Sequence, residues 1–435
     1  MDSLEDGASF DADRLDRLAH DYIQRLRQGE RPAVDAYARE HSTLAERIRS
    51  LFPVLADLEG LKDESSGSGR IEPIDVPDHI GEYRIFREVG RGGMGIVYEA
   101  EQTALGRRVA LKVLPHPFAR SANARERFQR EARAAAGLHH TSIVPVFDVG
   151  SVDGYDYYAM QFIAGHGLDQ IADELRRLRS ADDKGRDDEG ATGSSAFIAR
   201  SIQSGHFARD ATFRRAIPED GSPSPRVPHD TTDDRSSSRD PSESASRSSL
   251  SGRDFYRNVA RIGAKVAEAL DHAHRHGIVH RDVKPGNLLI DTQGEVWVAD
   301  FGLAQVHDSD LTRTGDVVGT LRYMAPERFS GRCDPTSDIY SLGVTLYELL
   351  TLRPAFSEVD RVALIDGIQN RPPARPRAID ARIPSDLEIV VLKAMARDPR
   401  DRYRSAAEFA MDLEAIVQDL PIRARRASSV ERLFR

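Results

Sequence analysis

One cysteine and one tryptophan occur among 435 residues. The lone thiol, Cys333, cannot form a disulfide within the chain, which excludes a disulfide framework and suits a reducing compartment. No histidine or second cysteine makes a site with it, so it reads as a passive loop thiol. The first ten residues, MDSLEDGASF, lack a basic n-region and an apolar core, so no secretory leader is expected there. Long apolar runs are missing too. The most apolar stretch, Ile339 to Leu352, is interrupted by Ser341 and Glu348 and predicts a buried helix rather than a membrane span. Positive charge is in deficit, with 61 Lys+Arg against 70 Asp+Glu and a net charge of −9, which disfavours a nucleic-acid partner. A cytoplasmic globular chain is the expectation, built as one large domain or two to three ordinary ones.

What is present converges on ten residues, Ile278 to Asn287, reading IVHRDVKPGN. Two apolar residues run into His280, Arg281, Asp282, Lys284 and Asn287, with Pro285 and Gly286 turning the chain. Phosphoryl transfer needs a carboxylate to orient a hydroxyl, an oxygen ligand for a metal on the phosphates, and a cation to offset developing charge. Asp282, Asn287 and Lys284 supply those groups. Upstream, a strand over Tyr83 to Val89 enters G-x-G-x-x-G at Gly90, Gly92 and Gly95. A dinucleotide site would need a helix next. The chain instead continues IVYEAEQ, turns at Leu105-Gly106 and returns as RRVALKVL, which is hairpin grammar. Such glycines let backbone N–H groups lie over phosphates. Lys112, in VALK, faces inward among apolar neighbours, and residues 121–137 read as a helix. Strands are expected over Ile143 to Val149 and Tyr155 to Ile163. Eighteen residues after Asp282 a further short strand, VWVAD, delivers Asp300-Phe301-Gly302.

These stretches resemble, in order, the glycine-rich loop, strand lysine, H-R-D-x-x-x-x-N loop and D-F-G of protein kinases. The lysine two residues after Asp282 is the serine/threonine form. Ala325-Pro326-Glu327 resembles the A-P-E that closes the activation segment. The chain thus looks like a bacterial, eukaryotic-like serine/threonine protein kinase. The resemblance implies an α+β, bilobal protein-kinase fold, with a β-rich N-lobe, an α-helical C-lobe and ATP between them. It implies Asp282 and Lys284 as catalytic residues, and nucleotide contacts from Val89, Gly90, Gly92, Gly95, Val97, Lys112, Glu131 and Met160. Glu131 would be the partner of Lys112, Met160 the residue behind the adenine, and Gln161 to Ile163 the hinge. Asn287 and Asp300 would hold Mg²⁺ or Mn²⁺. Thr312 and Thr314 occupy phosphorylation positions, with Arg281 as cationic partner. Thr320 would brace Asp282 and Lys284, Asp338 would hold the catalytic loop, and Arg402 would pair with Glu327. Expected partners are proteins bearing Ser or Thr, with autophosphorylation of the activation segment. A catalytically dead scaffold would lack Lys112, Asp282 or Asp300. A small-molecule phosphotransferase would lack the A-P-E segment.

The remaining chain divides by composition. Residues 1–62 read as a helical extension, with a stripe at Leu15, Leu18, Ala19, Tyr22, Ile23 and Leu26, a helix opened by Pro32, and a capping box at Thr43 and Glu46. Its expected role is either packing on the main domain or docking of a regulator or substrate. Residues 63–80 are linker and 81–420 the catalytic domain. Within it, a helix over Leu168 to Leu178 leads to a Ser, Asp and Pro-rich insertion, 180–252, expected to be disordered. A helical stripe from Phe255 to Ala273 follows, and 421–435 form a basic tail.

Overall fold

The computed structural model describes residues 18–19, 21–26, 30, 32–45, 47–49, 52–53, 56, 78–92, 95–114, 132, 135–152, 154–182, 194–204, 241–301, 317–358 and 360–424. Glu131, Gly302, Thr312 and Thr314 lie outside the described residues. Among the described residues no helix is long and apolar enough to cross a membrane.

The first lobe is a six-stranded antiparallel sheet. Its strands are β1 (His79–Ile80), β2 (Tyr83–Gly92), β3 (Gly95–Gln102), β4 (Arg107–Leu114), β5 (Val146–Val152) and β6 (Tyr155–Gln161), in the order β1-β2-β3-β4-β6-β5. Alternation along β4 settles which side chains face the second lobe. Val109, Leu111 and Val113 join Tyr83, Tyr98 and Tyr157 in a core on one face. Ala110 and Leu114 share the other face with Val144, Tyr158 and Met160. Lys112 has the same parity as Ala110 and Leu114, so its ammonium enters the cleft. β5 begins three residues later than expected because Pro145 has no N–H for the ladder. Ile143 is left to a single bridge with Val298. The sheet also takes in β1, two residues ahead of the expected boundary at 81.

The second lobe is helical, with a small sheet of β7 (Gly165–Gly167), β8 (Leu288–Asp291) and β9 (Val296–Val298) under the cleft. The extension contributes α1 (Val34–Glu40), and the helical lobe begins with α2 (Leu168–Asp182), α3 (Ser194–Ser204) and α4 (Pro241–Arg275). After a short α5 (Val317–Leu321) come α6 (Pro335–Thr351), α7 (Arg361–Asn370), α8 (Pro376–Ile379), α9 (Ser385–Ala394) and α10 (Ala406–Val417). The apolar run anticipated over 339–352 is α6, buried almost throughout its length. Asp334 caps it by accepting from Thr336 N at 2.7 Å, with Pro335 in the first turn. Ala260, Val266, Leu270, Leu346 and Leu413 belong to one core joining α4, α6 and α10.

The expectation of disorder over 180–252 is corrected for 194–204 and 241–252, which are helical, while 183–193 and 205–240 lie outside the described residues. α3 lies inside that stretch, buries Ala196, and places Ile198, Ala199 and Ile202 in the main core. Asn258 of α4 anchors it by donating to Ile202 O at 2.8 Å. α4 also starts at Pro241 rather than near Phe255, since Pro fits a first helical turn and Ser, Ala, Glu and Arg do not break the next ones. At the other end the core reaches Ala424, whose N–H donates to Asp412 at 2.9 Å, so the first residues of the supposed tail are anchored. In the extension, α1 follows Pro32 as expected. Thr43, however, sits inside a 3₁₀ turn, Ser42–Leu44, whose preceding residue His41 provides no side-chain cap, and Glu46 lies outside the described residues.

Candidate active site

Asp338, near the start of α6, organises the loop that carries Asp282. Its carboxylate is almost wholly buried and accepts from His280 N, Arg281 N and His274 Nε2, each at 2.8 Å. Burial opposes its ionisation. The hydrogen bond from His274, the nearby His280 and the Arg281 amide outweigh that and hold the carboxyl below its ordinary value. Arg281 adopts φ 70°, a left-handed conformation uncommon for a residue with a Cβ. Asp338 holds it from one side, and the Arg328 guanidinium donates to its carbonyl from the other. Fixed this way, the backbone presents Asp282 at the lip of the cleft.

The side chains around Asp282 are fixed too. Lys284 Nζ lies 2.9 Å from Asp282 Oδ2 and donates to Thr320 Oγ1 at 3.2 Å. A 3₁₀ turn at Pro285–Asn287 folds the chain back, so Asn287 Nδ2 donates to both Asp282 O at 2.7 Å and Asp282 Oδ2 at 2.9 Å. That engages the amide nitrogen and leaves the Asn287 carbonyl oxygen as the group available to a cation. His280 Nε2 donates to Ala299 O at 3.0 Å, and its Nδ1 accepts from Asp282 N at 3.3 Å, so one imidazole ties the catalytic loop to the end of β9.

There the chain places Asp300, at φ 62°, against the sheet lobe. Its Oδ1 meets Lys112 Nζ at 2.8 Å and accepts from the Tyr158 hydroxyl at 3.1 Å. Burial again opposes ionisation, and the Lys112 ammonium beside it, with Tyr158, prevails and keeps the carboxyl below its usual value. Phe301 is buried with its ring 4.6 Å from that of His280. Lys112 therefore meets Asp300 across the cleft, and the expected partner Glu131 lies outside the described residues.

Above the cleft, β2 and β3 close as a hairpin at Gly92 and Gly95. Gly95 has φ 147°, and a Cβ there would lie 2.6 Å from Val113 O, so only glycine fits. Around Gly90 nothing lies within 4 Å of an added Cβ. Val97 pairs with Lys112 in register and Met160 with Ala110, and both belong to the apolar cluster on the cleft face. Val89 differs: it sits at a register shift between Glu88 and Gly90 and is 39% exposed. A small cavity behind Met160 is lined by Ala135, Val144, Tyr158, Met160, Asp300 and Phe301.

The site fits a nucleotide with a divalent metal. Asn287 and Asp300 offer hard oxygen donors, and Mg²⁺ is typically held by one or two such protein ligands together with phosphates. Among the described residues there is no cluster of three or more His, Cys, Asp or Glu that could hold a metal ion. Farther out, Glu327 and Arg402 form a buried bidentate pair at 2.7 and 2.8 Å, reinforced by Ser337 Oγ at 2.7 Å. Sequence reasoning missed Tyr158, His274, Arg328 and Ser337. For Tyr158 a signal existed, since it shares strand parity with Met160. His274, Arg328 and Ser337 act across 64, 47 and 10 residues and carry no local signature.

Comparison with known proteins agrees with this geometry. The family model described as protein kinase domain matches residues 247–412, and one described as phosphotransferase enzyme family matches 87–311. The second spans the hairpin, Lys112, the catalytic loop and Asp300; the first adds Ala325-Pro326-Glu327 and Arg402. The chain is 33% identical over 355 residues to a probable serine/threonine-protein kinase of Streptomyces coelicolor, covering 80% of this chain and 42% of that protein. It is 32% identical to the serine/threonine-protein kinase PknH of Mycobacterium tuberculosis, over 79% of this chain and 43% of the relative. It is also 32% identical to a probable serine/threonine-protein kinase PknB of Corynebacterium glutamicum, over 79% and 44%. The chain thus spans less than half the length of these relatives. Among solved structures it is similar to a variant of the Mycobacterium tuberculosis PknI kinase domain, with 25% identity, a TM-score of 0.49, and coverage of 79% of this chain and 99% of that one. With the catalytic loop and the bacterial relatives in agreement, the chain carries a protein kinase domain and is similar to bacterial serine/threonine-protein kinases.

Proposed function

We propose that this chain is a serine/threonine protein kinase that transfers the γ-phosphoryl group of Mg-ATP to protein hydroxyls. The observation that carries the reading is Lys284, which bridges Asp282 at 2.9 Å and Thr320 at 3.2 Å. It joins the proton-accepting carboxylate to the segment leading into Ala325-Pro326-Glu327, the stretch absent from small-molecule phosphotransferases. That segment, which would receive a peptide, favours a protein acceptor over the small-molecule one to which the phosphotransferase match would point.

In the mechanism, the hairpin at Gly90, Gly92 and Gly95 lies over the phosphates, with Val97 and Met160 against the adenine. Val89 would reach the nucleotide only by turning in from its exposed position. Lys112 leaves Asp300 to hold the α- and β-phosphates, with Glu131 as its steadying carboxylate. Asn287 and Asp300 would hold the metal, which when bound neutralises charge on the β- and γ-phosphates. Asp282 orients the incoming Ser or Thr hydroxyl and accepts its proton, and Lys284 offsets charge on the transferred group. Thr312 and Thr314 are the proposed autophosphorylation sites, with Arg281 as their cationic partner. Since ATP is the donor, the catalytic domain, 81–420, acts in the cytoplasm.

The test is incubation of the purified chain with labelled Mg-ATP and casein, beside Asp282→Asn. A carboxylate acting as general base typically contributes about 10²–10⁴-fold, so the variant should lose that much rate with an unchanged melting temperature. Label confined to wild-type casein and to Thr312 or Thr314 supports the reading. Equal rates in both proteins would overturn it, and label on small alcohols but never on casein would favour the small-molecule acceptor.

A further inference from the structure

The N-terminal helices do not stand apart. Ala19, Tyr22, Tyr37, Ala38, Leu44, Ile48 and Phe52 are buried in one cluster with residues from the helical lobe. Those partners are Leu321 and Met324 on one side and Phe329, Phe356, Val362 and Ile365 on the other. Within the extension Tyr22, Tyr37 and Phe52 pack as a ring triad, with centroids 4.5 to 5.5 Å apart. Outside the apolar contact, Arg47 makes a bidentate pair with Asp366 of α7, at 2.6 and 3.1 Å. Asp366 is 3% exposed and also accepts from Asn370 Nδ2 at 2.9 Å, with Arg371 at 3.8 Å, so Arg47 is the nearer of its two cationic partners.

The location matters more than the packing. Leu321 directly follows Thr320, the residue whose hydroxyl accepts from Lys284 beside Asp282. Tyr323 N donates to Thr320 O at 3.2 Å and Met324 N to Leu321 O at 3.1 Å, so the chain closes in a tight turn at the end of α5. The apolar side of that turn rests on the extension. We infer that residues 18–56 act as a brace in cis: they hold the 320–329 segment in the shape that receives the acceptor peptide, and Tyr22, Phe52 and Arg47 are its positioning residues. This rests on the protein-kinase reading for its consequence in catalysis, though not for the brace itself. The α7 face is thereby filled by the chain itself rather than left for a partner.

The experiment uses the full chain with two variants, Tyr22→Ala/Phe52→Ala and the milder Arg47→Ala, each first shown to bind Mg-ADP. Hydrogen exchange reads the brace directly. Amides at 320–329 and 361–370 should exchange about tenfold faster or more once the contacts are cut, because local opening follows lost packing. In parallel, KM for casein should rise roughly threefold to tenfold while KM for ATP stays put, as expected when only acceptor positioning is lost. Unchanged exchange in both variants overturns the inference, as does faster exchange with casein kinetics untouched, which would mean packing alone. If wild type labels no protein at all, the kinase reading falls, and exchange at 320–329 still decides whether the brace exists.

Discussion

Gly95 and Gly90 look alike in the sequence and differ in what surrounds them. At Gly95 a methyl group would strike Val113 O at 2.6 Å in a backbone with φ 147°, whereas Gly90 faces open space. Strain of this kind costs on the order of 1–3 kcal/mol, so Gly95→Ala should lower the melting temperature of the nucleotide-free protein. Gly90→Ala should leave that temperature alone and weaken Mg-ATP binding, because only the phosphates would meet its methyl. Thermal melts with and without nucleotide separate the two, and a Gly90→Ala protein that binds ATP normally would remove Gly90 from the site. Asp338 gives a pH signature. Its folded pKa lies below that of an ordinary aspartate, so the unfolded chain takes up the proton first as pH falls. The stability it contributes is complete above that value and disappears as pH drops through the folded pKa. Asp338→Asn should therefore be about 1.5–3 kcal/mol less stable than wild type at pH 7, the usual worth of charge-assisted hydrogen bonds, with the gap narrowing below pH 3.8. Urea unfolding at stepped pH measures it; a gap that widens in acid would contradict the assignment.

Among the elements, α3 is the one that composition concealed. Averaged over 180–252, Ser, Asp and Arg dominate, yet Ile198, Ala199 and Ile202 fall on one helical face and reach the core. Ile198 is fully buried. Truncation there should cost about 2–5 kcal/mol, as for other core Ile→Ala changes, against near zero for a residue in a solvated loop. Denaturant melts of Ile198→Ala decide between the two. The elements that were legible share a property: their signal is local. The glycine hairpin, the loop from His280 to Asn287, the strand carrying Lys112 and the apolar α6 each fit within ten to twenty residues, so period and turn chemistry sufficed. Contacts closed over long separations left no such trace. Lys112 and Asp300 meet across 188 positions, and Arg47 finds Asp366 across 319. The start of β5 is a case between: Pro145 was in view, and its missing donor forbids pairing there, but the apolar run through Ile143 and Val144 argued the other way.

For the whole molecule, the proposed nucleotide site is divided between the lobes. Lys112 arrives on the sheet, Asn287 and Asp300 on the helical lobe, and at the cleft the two sides meet where Asp300 joins Lys112 at 2.8 Å and Tyr158 at 3.1 Å. A bound Mg-nucleotide would tie both lobes to one ligand. A ligand that binds only the folded state adds about 2.7 kcal/mol at roughly 100 times its Kd. For a domain of this size each kcal/mol moves the melting temperature by about 2–4 °C, so saturating Mg-ADP should raise it by several degrees. Part of that rise belongs to the metal. With EDTA the increment should shrink, because Asn287 and Asp300 then face phosphates without a cation between them. Asp300→Asn should lose the magnesium-dependent part and keep some response to nucleotide through Lys112; Lys112→Met should lose response in both conditions. A wild-type increment indifferent to EDTA would remove Asn287 and Asp300 as metal ligands while leaving the nucleotide site in place, and an absence of any increment would remove the site itself.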